Sequence, residues 1–265
     1  MAFGPPLIAL TRGVSDAIGR CELTHLDRQV IDVSVAREQH HAYERTLERL
    51  GCRIVRVEDA PDLSDAVFVE DTAVVVDQLA IITRPGARSR RHETADVVKV
   101  MKRFRTLAAI EAPGTVDGGD VLVAGRRVFV GRSARTNDAG IRQLRDILGS
   151  SGYDVRDVDV GGCLHLKSAV TSLSDECLLV NPSWVSCEAL AGFDLLEIDS
   201  AEPFAANAVR AGGGLVYPAA FPRTRARMER LGFEVHPVDV SELAKAEGAV
   251  TCCSIIFRDS AGLTQ

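Results

Sequence analysis

The chain has 265 residues, of which 46% are hydrophobic and 26% are charged, and its formal net charge is −6. This length and composition are typical of a soluble globular protein that can bury a substantial core, and no stretch approaches the roughly 18 apolar residues that a membrane span requires. The acidic balance disfavours nucleic acid and anionic membranes as partners, and it is compatible with a cationic small-molecule substrate.

Helix-like and strand-like segments alternate along the chain. The 3.6-residue period of the apolar positions predicts helices over 35–50, 92–109, 134–149 and 220–231, with a shorter one near 183–191. Gly51 and Gly232 directly follow two of these patterns and are expected to end those helices. A short strand-like segment follows each helix; in chain order these are RIVRV, AIEAP, YDVRDV, DLLEID and FEVHPV.

An apolar hairpin pattern, introduced by a polar or reactive residue, recurs five times. The introducing residues lie 40 to 49 positions apart and are Asp71, Asp120, Lys167, Asn207 and Cys252. A fixed period of this size is typical of a radial or solenoid architecture built from one repeated unit, here a hairpin, a helix and a strand. The pattern predicts a single α/β domain over residues 1–265, with the pieces of one unit shared between the two termini. Closure into a ring would bring the introducing residues together at the axis.

A doubly wound α/β sheet is the alternative fold, since it also alternates helices and strands. That fold does not predict paired strands before every helix, and it normally carries a phosphate loop or a dinucleotide fingerprint. The glycines at 212–214 join two strands within one predicted hairpin and are interpreted as a turn. The repeat therefore favours five similar units.

The seven cysteines are an odd number without a framework spacing, which predicts reduced thiols in a cytoplasmic protein. The N-terminal MAFGPPLIALTRG lacks the basic start and the long apolar run of a signal peptide. Cys252 and Cys253 are neighbours at the start of a strand, so their side chains are expected to point to opposite faces. Alone they would be read as two small buried hydrophobic residues, but Cys252 falls at one of the five repeated positions. It is therefore a candidate nucleophile.

His165 follows two glycines and precedes a strand, in a setting where the backbone can bend and a ligand can approach. It is the histidine that best fits a site, whereas His40 and His41 are interpreted as a solvated helix face. No Cys-x-x-Cys or His-x-x-x-His spacing supports a metal site.

Two groups of carboxylates occupy equivalent places in successive repeats. Asp65, Glu70 and Asp71 bracket a short apolar segment, and Asp117 and Asp120 flank two glycines. Converging carboxylates can hold a guanidinium group by charge-assisted, bidentate hydrogen bonds.

Six strings occur in order across residues 10–258: FVED (68–71), ITRPGARSRR (82–91), VDGGDVL (116–122), VGRSARTN (130–137), LHLKS (164–168) and TCCS (251–254). Together they resemble the dimethylarginine dimethylaminohydrolases, members of the guanidino-group-modifying superfamily that includes the arginine and agmatine deiminases. The resemblance implies the pentein fold, an α/β propeller of five units with pseudo-fivefold symmetry, which agrees with the repeat.

The resemblance also implies a reaction. Methylated L-arginine would be hydrolysed to citrulline and an alkylamine without a metal or an organic cofactor. Cys252 would be the nucleophile, His165 the general acid and base, and Asp117 the acid that supports His165.

Seven further residues would bind the substrate according to the same resemblance. They fall into three groups: Asp65, Glu70 and Asp71 around the guanidinium, Arg90 and Arg135 at the α-carboxylate, and backbone groups near Val14 and Val250 at the α-amine.

Two alternatives remain at this level. An arginine deiminase typically has an Asp two residues after its histidine, where this chain has Lys167, a residue that offers no acceptor and so fits a methylated nitrogen. A non-catalytic five-unit propeller that binds partners is the alternative of a different class. The sequence predicts neither the oligomeric state nor the preference between mono- and dimethylarginine.

Overall fold

This computed structural model describes residues 5–259 of the chain. They contain fifteen short strands and six α-helices, joined by 3-10 turns and loops. The strands are β1 Leu7–Thr11, β2 Cys52–Arg56, β3 Ala73–Val75, β4 Leu79–Ile82, β5 Thr106–Ala109, β6 Val121–Ala124, β7 Arg127–Arg132, β8 Asp154–Asp159, β9 Val170–Ser172, β10 Cys177–Val180, β11 Asp194–Glu197, β12 Val209–Ala211, β13 Gly214–Pro218, β14 Val235–Val238 and β15 Ile255–Arg258. The helices are α1 Val33–Arg49, α2 Thr94–Met101, α3 Asp138–Gly149, α4 Leu166–Ala169, α5 Pro222–Arg230 and α6 Ser241–Ala244.

The strands form five three-stranded sheets with one common pattern. In each sheet an antiparallel pair is extended by a third strand parallel to the second, in the orders β3-β4-β5, β6-β7-β8, β9-β10-β11, β12-β13-β14 and β15-β1-β2. The last sheet joins the two ends of the chain, because Leu10 of β1 lies opposite Ile255 of β15. The predicted repeat and its sharing between the termini are confirmed.

Local sequence sets the ends of the longer helices. The side chains of Asp32 and Asn137 accept hydrogen bonds from backbone N–H groups in the first turns of α1 and α3, as N-caps do. Gly51 and Gly232 follow α1 and α5 with φ values of 89° and 88°, which a residue with a side chain rarely adopts. The prediction that these glycines end the helices is confirmed.

Four predictions of local structure were wrong. The strand expected at AIEAP (109–113) lies earlier, and only Ala109 of that segment belongs to a strand. The helix expected over 92–109 is a 3-10 turn at Ser89–Glu93 followed by α2, and residues 106–109 form β5 because they pair in parallel with β4. The short helix near 183–191 is only a 3-10 turn at Cys187–Leu190. His40 is 1% exposed rather than solvated, because it lies on the face of α1 that packs inward with Tyr43.

The first strands of the five antiparallel pairs share one cavity of about 350 Å³. Strands β3, β6, β9, β12 and β15 each contribute residues to its wall. The apolar side chains on the outer faces of the sheets form separate clusters with the helices and neighbouring strands.

No helix within residues 5–259 is long and apolar enough to cross a membrane.

Candidate active site

The loops that precede the five first strands carry the reactive side chains. Single helical turns at Val69–Thr72, Gly118–Asp120 and Leu166–Ala169 directly precede β3, β6 and β9, while turn residues 250–253 precede β15. A short turn exposes a side chain at the end of a strand while the sheet holds its backbone in place. The sequence therefore places one chemically active segment at the same point of each unit.

Hydrogen bonds link each of these loops to the next, and the fifth link returns to the first loop. The links are Gly119 N to Asp71 Oδ1 at 2.8 Å, Leu166 N to Asp120 Oδ1 at 2.9 Å, Asn207 Nδ2 to Lys167 O at 2.9 Å, Thr251 N to Asn207 Oδ1 at 3.1 Å and Glu70 N to Cys252 O at 3.1 Å. In these links Asp71, Asp120 and Asn207 form hydrogen bonds through their side chains, whereas Lys167 and Cys252 accept hydrogen bonds through their backbone carbonyl groups.

A small cavity of about 20 Å³ lies at this meeting point. Six of the ten predicted site residues line it: Asp65, Asp71, Arg90, Arg135, His165 and Cys252. Six residues that were not predicted complete the wall: Glu22, Phe68, Leu164, Ala246, Glu247 and Gly248. One thiol-bearing, one imidazole-bearing, four acidic and two guanidinium-bearing residues therefore line one space.

Asp117 supports the imidazole from behind. It is fully buried, its Oδ2 lies 3.1 Å from His165 Nε2, and its Oδ1 accepts a hydrogen bond from Gly86 N at 2.8 Å. Burial of His165 disfavours the charged imidazole, but the nearby carboxylates of Asp71, Asp120 and Asp117 outweigh it and raise the pKa of His165 to about 9. The imidazole therefore carries a proton at neutral pH.

The two glycines between Asp117 and Asp120 allow this close approach. A Cβ atom on Gly119 would lie 2.6 Å from His165 Nδ1 and 2.9 Å from Asp71 Oδ1, closer than non-bonded atoms can come. A Cβ atom on Gly118 would lie 2.0 Å from the carbonyl oxygen of Glu70. Only glycine fits at these positions, so the DGGD string encodes the contact between two neighbouring units.

Cys252 is partly exposed, whereas its neighbour Cys253 is fully buried in the core. The predicted division between an accessible and a packed thiol is therefore present. Burial, together with the carboxylates of Glu70 and Asp71, raises the pKa of the Cys252 thiol to about 12. The thiol stays protonated until a positive charge enters the cavity.

The three predicted guanidinium-binding acids differ in their partners. Asp71 is buried; although burial opposes its ionisation, His165 and Arg90 lower its pKa to about 2. Burial raises the pKa of Glu70, which pairs through Oε1 with Lys167 Nζ at 2.6 Å and lines the cavity of about 350 Å³ rather than the small one. Burial also raises the pKa of Asp65, whose two carboxylate oxygens lie 3.2 Å from the N–H of Glu22.

The two predicted carboxylate-binding arginines are both buried and both line the cavity. Arg135 Nη2 donates to Thr24 Oγ1 at 3.0 Å, and its Nη1 lies 3.7 Å from Asp117 Oδ2. Arg90 Nη1 donates to Asp71 Oδ2 at 2.5 Å. Each guanidinium is thus held by the protein at the edge of the cavity.

The structure does not bring Val14 and Val250 into the cavity. Both are buried in the hydrophobic cluster around α1, and the carbonyl of Val14 accepts a hydrogen bond from Arg37. Glu22 and residues 246–248 line it instead. These segments carry no distinctive motif, so no signal in a single sequence could have identified them.

Glu247 ties these two segments together. Its carboxylate accepts hydrogen bonds from the backbone N–H groups of Thr24 at 3.0 Å and Leu26 at 2.6 Å, and its own backbone has a φ of 57°, unusual for a residue with a side chain. The loop that carries Glu22 is therefore fastened across the cavity by the segment leading to Cys252.

The ligand atoms of Asp71, Asp117 and His165 all lie within 4.8 Å of one another, the kind of cluster that can hold a metal ion. Here the two acids already contact charged partners, because Asp71 pairs with Arg90 and Asp117 with the imidazole of His165. The geometry is that of an ion-pair network around a proton-carrying histidine.

Comparison with known proteins identifies relatives over nearly the whole chain. A family model described as N,N dimethylarginine dimethylhydrolase, eukaryotic, matches residues 20–191. A protein named N(G),N(G)-dimethylarginine dimethylaminohydrolase from Pseudomonas aeruginosa is 40% identical over 228 residues, covering 85% of this chain and 90% of that protein. The protein of the same name from Streptomyces coelicolor is 40% identical over 257 residues, covering 96% and 98%.

A solved structure of the enzyme from Pseudomonas aeruginosa, a cysteine-to-serine mutant complexed with citrulline, is also similar. It superimposes with a TM-score of 0.91 and 36% sequence identity, covering 96% of this chain and all of that chain.

Proposed function

The chain belongs to the dimethylarginine dimethylaminohydrolase family, and from this membership and the geometry of its site we propose that it hydrolyses Nω-methylated L-arginines to L-citrulline and dimethylamine or methylamine. The observation that carries the proposal is the single cavity that Cys252, His165, Asp71 and two arginines line together. A thiol beside a proton-carrying imidazole suits attack on a carbon whose nitrogen must depart protonated.

The charges around the cavity match the two ends of a methylated arginine. Asp71 and Asp65 provide anionic groups that a guanidinium attracts, and Arg90 and Arg135 provide cations for an α-carboxylate. The cavity of about 20 Å³ holds roughly one water molecule, so the substrate enters when the loop fastened by Glu247 moves aside.

In the first half of the reaction, the substrate activates the nucleophile. Burial and two carboxylates keep the pKa of Cys252 at about 12; the bound guanidinium offsets the carboxylates, and the thiol then releases its proton to solvent. The thiolate attacks the guanidinium carbon, a C–S bond forms, and the bond to the methylated nitrogen breaks. His165, whose pKa is raised to about 9, donates its proton to the departing amine and leaves a thiouronium on Cys252.

In the second half, the same imidazole is neutral and accepts a proton from water. The resulting hydroxide adds to the thiouronium carbon, and the C–S bond breaks to give the urea group of citrulline. The proton left on the urea returns to the departing thiolate, which restores the thiol. Asp117 holds the imidazole at 3.1 Å through both steps and stabilises its charged form. It is the acid that orients the general acid and base.

Lys167 favours a methylated substrate over free arginine. Its ammonium occupies Glu70 Oε1 at 2.6 Å, so this acceptor is engaged by the protein before a guanidinium arrives. Glu70 Oε2 has no hydrogen-bond partner among the described residues, so the discrimination comes from Lys167 itself. A lysine offers no acceptor to the two N–H groups of an unmethylated terminal nitrogen, whereas a dimethylated nitrogen has no N–H group to satisfy.

We further infer that the five units close into a pseudo-fivefold propeller and form one domain. The circle of hydrogen bonds that runs from loop to loop and returns to Glu70 supports closure, as does the cavity shared by the first strands of all five sheets. The pairing of β1 with β15 supports one domain, since neither end of the chain could form its sheet alone.

A citrulline-release assay over asymmetric dimethylarginine, monomethylarginine, arginine and agmatine tests the function. We expect turnover of both methylated amino acids with kcat/KM well above that for arginine. The Cys252→Ser variant should bind the substrate in calorimetry without releasing citrulline, whereas Cys253→Ala, which changes the neighbouring buried thiol, should retain turnover. Faster hydrolysis of arginine would identify a deiminase, and the absence of citrulline from every compound would refute the proposal.

A further inference from the structure

Arg90 has most of its hydrogen-bonding capacity engaged by the protein itself. Its Nε lies 3.2 Å from both carboxylate oxygens of Glu93, and its Nη2 donates to Glu93 Oε2 at 2.8 Å and to the carbonyl of Phe68 at 3.0 Å. Its Nη1 donates to Asp71. A guanidinium has five N–H donors, so these contacts leave one N–H of Nη1 for a ligand in the cavity that Arg90 lines.

Glu93 is the partner that fixes the plane of this guanidinium. It is 2% exposed, it does not line the cavity, and both of its carboxylate oxygens contact Arg90. Its backbone is also anchored, because its carbonyl accepts a hydrogen bond from Arg12 Nη1 at 3.3 Å and Arg12 pairs with Asp96 at 2.7 Å. A side-on, bidentate pair of this kind defines orientation as well as charge.

We propose that Glu93 is a positioning residue, which holds Arg90 so that its remaining N–H binds the carboxylate of the substrate. This inference rests on the proposed function, in which the substrate is an amino acid with its α-carboxylate at Arg90. No string that suggested the other site residues contains Glu93, since the relevant motif ends at Arg91.

The need for such a residue follows from the charges that surround Arg90. Asp71 and Asp65 both attract the guanidinium, Asp71 through its carboxylate at 2.5 Å and Asp65 through its carbonyl at 3.3 Å. Without Glu93 on the opposite side, the guanidinium of Arg90 would rotate toward Asp71 and Asp65. The remaining N–H of Nη1 would then bond to these residues instead of the substrate carboxylate. Affinity for the carboxylate would fall, while Arg90 would keep its contact with Asp71 beside the reacting atoms.

The same contact predicts a dependence on pH. Burial, opposed by Arg90 and reinforced by Asp65 and Asp71, raises the pKa of Glu93 to about 7. These three groups, with Arg12 at the backbone of Glu93, are the charged groups that face it. Above pH 7 the carboxylate of Glu93 is charged and accepts charge-assisted hydrogen bonds from Arg90. Below pH 7 it is protonated and these hydrogen bonds weaken. KM for a substrate with a carboxylate should therefore rise as the pH falls through 7.

The test compares Glu93→Gln with wild type on two compounds, Nω-methyl-L-arginine and its decarboxylated analogue, Nω-methylagmatine. At pH 8 we expect KM for methylarginine to rise about tenfold or more, while kcat stays within about threefold. The constant for methylagmatine, measured as KM or as competitive inhibition, should not change, because this compound has no carboxylate for Arg90. Glu44→Gln is the matched control, since Glu44 is also buried and bidentate with an arginine, Arg56, but does not line the cavity.

An equal loss with both compounds would show a merely structural role and overturn the inference, as would a loss of kcat alone. Wild-type protein that does not hydrolyse methylarginine would refute the proposed function, and the inference with it. Should Glu93→Gln fail to fold, the wild-type protein decides the matter. KM for methylarginine, but not the constant for methylagmatine, must then rise between pH 8 and pH 6, and parallel changes would contradict the role of Glu93.

Discussion

Replacement of Asp117 by Asn isolates the contribution of one charge to the general acid. Asp117 is fully buried, with Oδ2 3.1 Å from His165 Nε2 and Oδ1 fixed by the N–H of Gly86. The amide has the size of the carboxylate but no charge. Because the carboxylate favours the protonated imidazole, we expect the pKa of His165 to fall from its value of about 9.

The size of this change can be estimated from the contact that is lost. A hydrogen bond to a charged group contributes about 1.5–3 kcal/mol, and 1.36 kcal/mol corresponds to one pH unit, so the pKa should fall by about one to two units. It should not fall further, because Asp71 and Asp120, whose charges also raise the pKa of His165, remain in place.

The assay is the pH dependence of kcat/KM for citrulline release. The first half of the reaction requires the imidazolium, so kcat/KM declines as the pH rises through the pKa of His165 in the free enzyme. In Asp117→Asn this decline should begin about one to two pH units lower. The α-amine of the substrate titrates in a similar range, but it is the same for both proteins, and NMR titration of the imidazole gives the shift directly.

A surface carboxylate provides the control. Asp157 pairs with Arg132 and Arg145, none of which lines the cavity, and Asp157→Asn should leave the profile unchanged. An alkaline limb that stays in place in Asp117→Asn, or moves to higher pH, would refute the assignment of Asp117 and His165 as a coupled pair.

Three further predictions concern specificity, positioning and the loop over the cavity. Lys167→Met releases an acceptor on Glu70, so the ratio of kcat/KM for arginine to that for dimethylarginine should rise about tenfold, measured by citrulline release. Gly119→Ala places a Cβ atom 2.6 Å from His165 Nδ1, and the displaced imidazole should lower kcat about 100-fold, with a loss of stability of about 1–3 kcal/mol from the overpacked site. Glu247→Ala removes charge-assisted hydrogen bonds of about 1.5–3 kcal/mol, so exchange of the amides it held should accelerate about tenfold or more in hydrogen-exchange mass spectrometry.

Each of these has a clear contrary result. Unchanged discrimination in Lys167→Met would mean that the acceptor on Glu70 is not limiting. Full activity in Gly119→Ala would show that the imidazole can shift without cost. Slow exchange in Glu247→Ala would mean that other contacts, such as that of Arg135 with Thr24, hold the loop.

The fold was largely predictable because its repeat is written in apolar spacing. Each unit needs a hairpin and a parallel third strand, and both leave a local pattern in the sequence. The region 92–109 shows where such reasoning fails. Its apolar residues suit a helix, but residues 106–109 become a strand because pairing with β4 is available only in the folded protein. Long-range pairing overrides local propensity there.

The site was predictable where chemistry demands a particular side chain. A thiol, an imidazole and buried acids can be recognised from residue type, and the structure brings Cys252, His165 and Asp71 to one cavity. Val14 and Val250 were proposed for backbone contacts, and any residue can supply a carbonyl. The sequence does not indicate Glu93 for a different reason. Glu93 contacts Arg90 rather than the cavity, so its role depends on the contacts of that guanidinium.

Before a substrate binds, burial and charge together hold the site in an unreactive state. Burial and the carboxylates of Glu70 and Asp71 raise the pKa of Cys252 to about 12. Asp71, which lines the cavity and can attract a guanidinium, is also among the carboxylates that, against burial, raise the pKa of His165 to about 9. A neutral compound in the cavity would not offset the negative charge of the nearby carboxylates, so the thiol of Cys252 would stay protonated. A cation beside the acids lowers the pKa of the Cys252 thiol, which favours the thiolate, and also lowers the pKa of His165, which favours release of its proton. Nucleophile and general acid are thus both activated by one event, so the site selects its substrate by charge before it selects by shape.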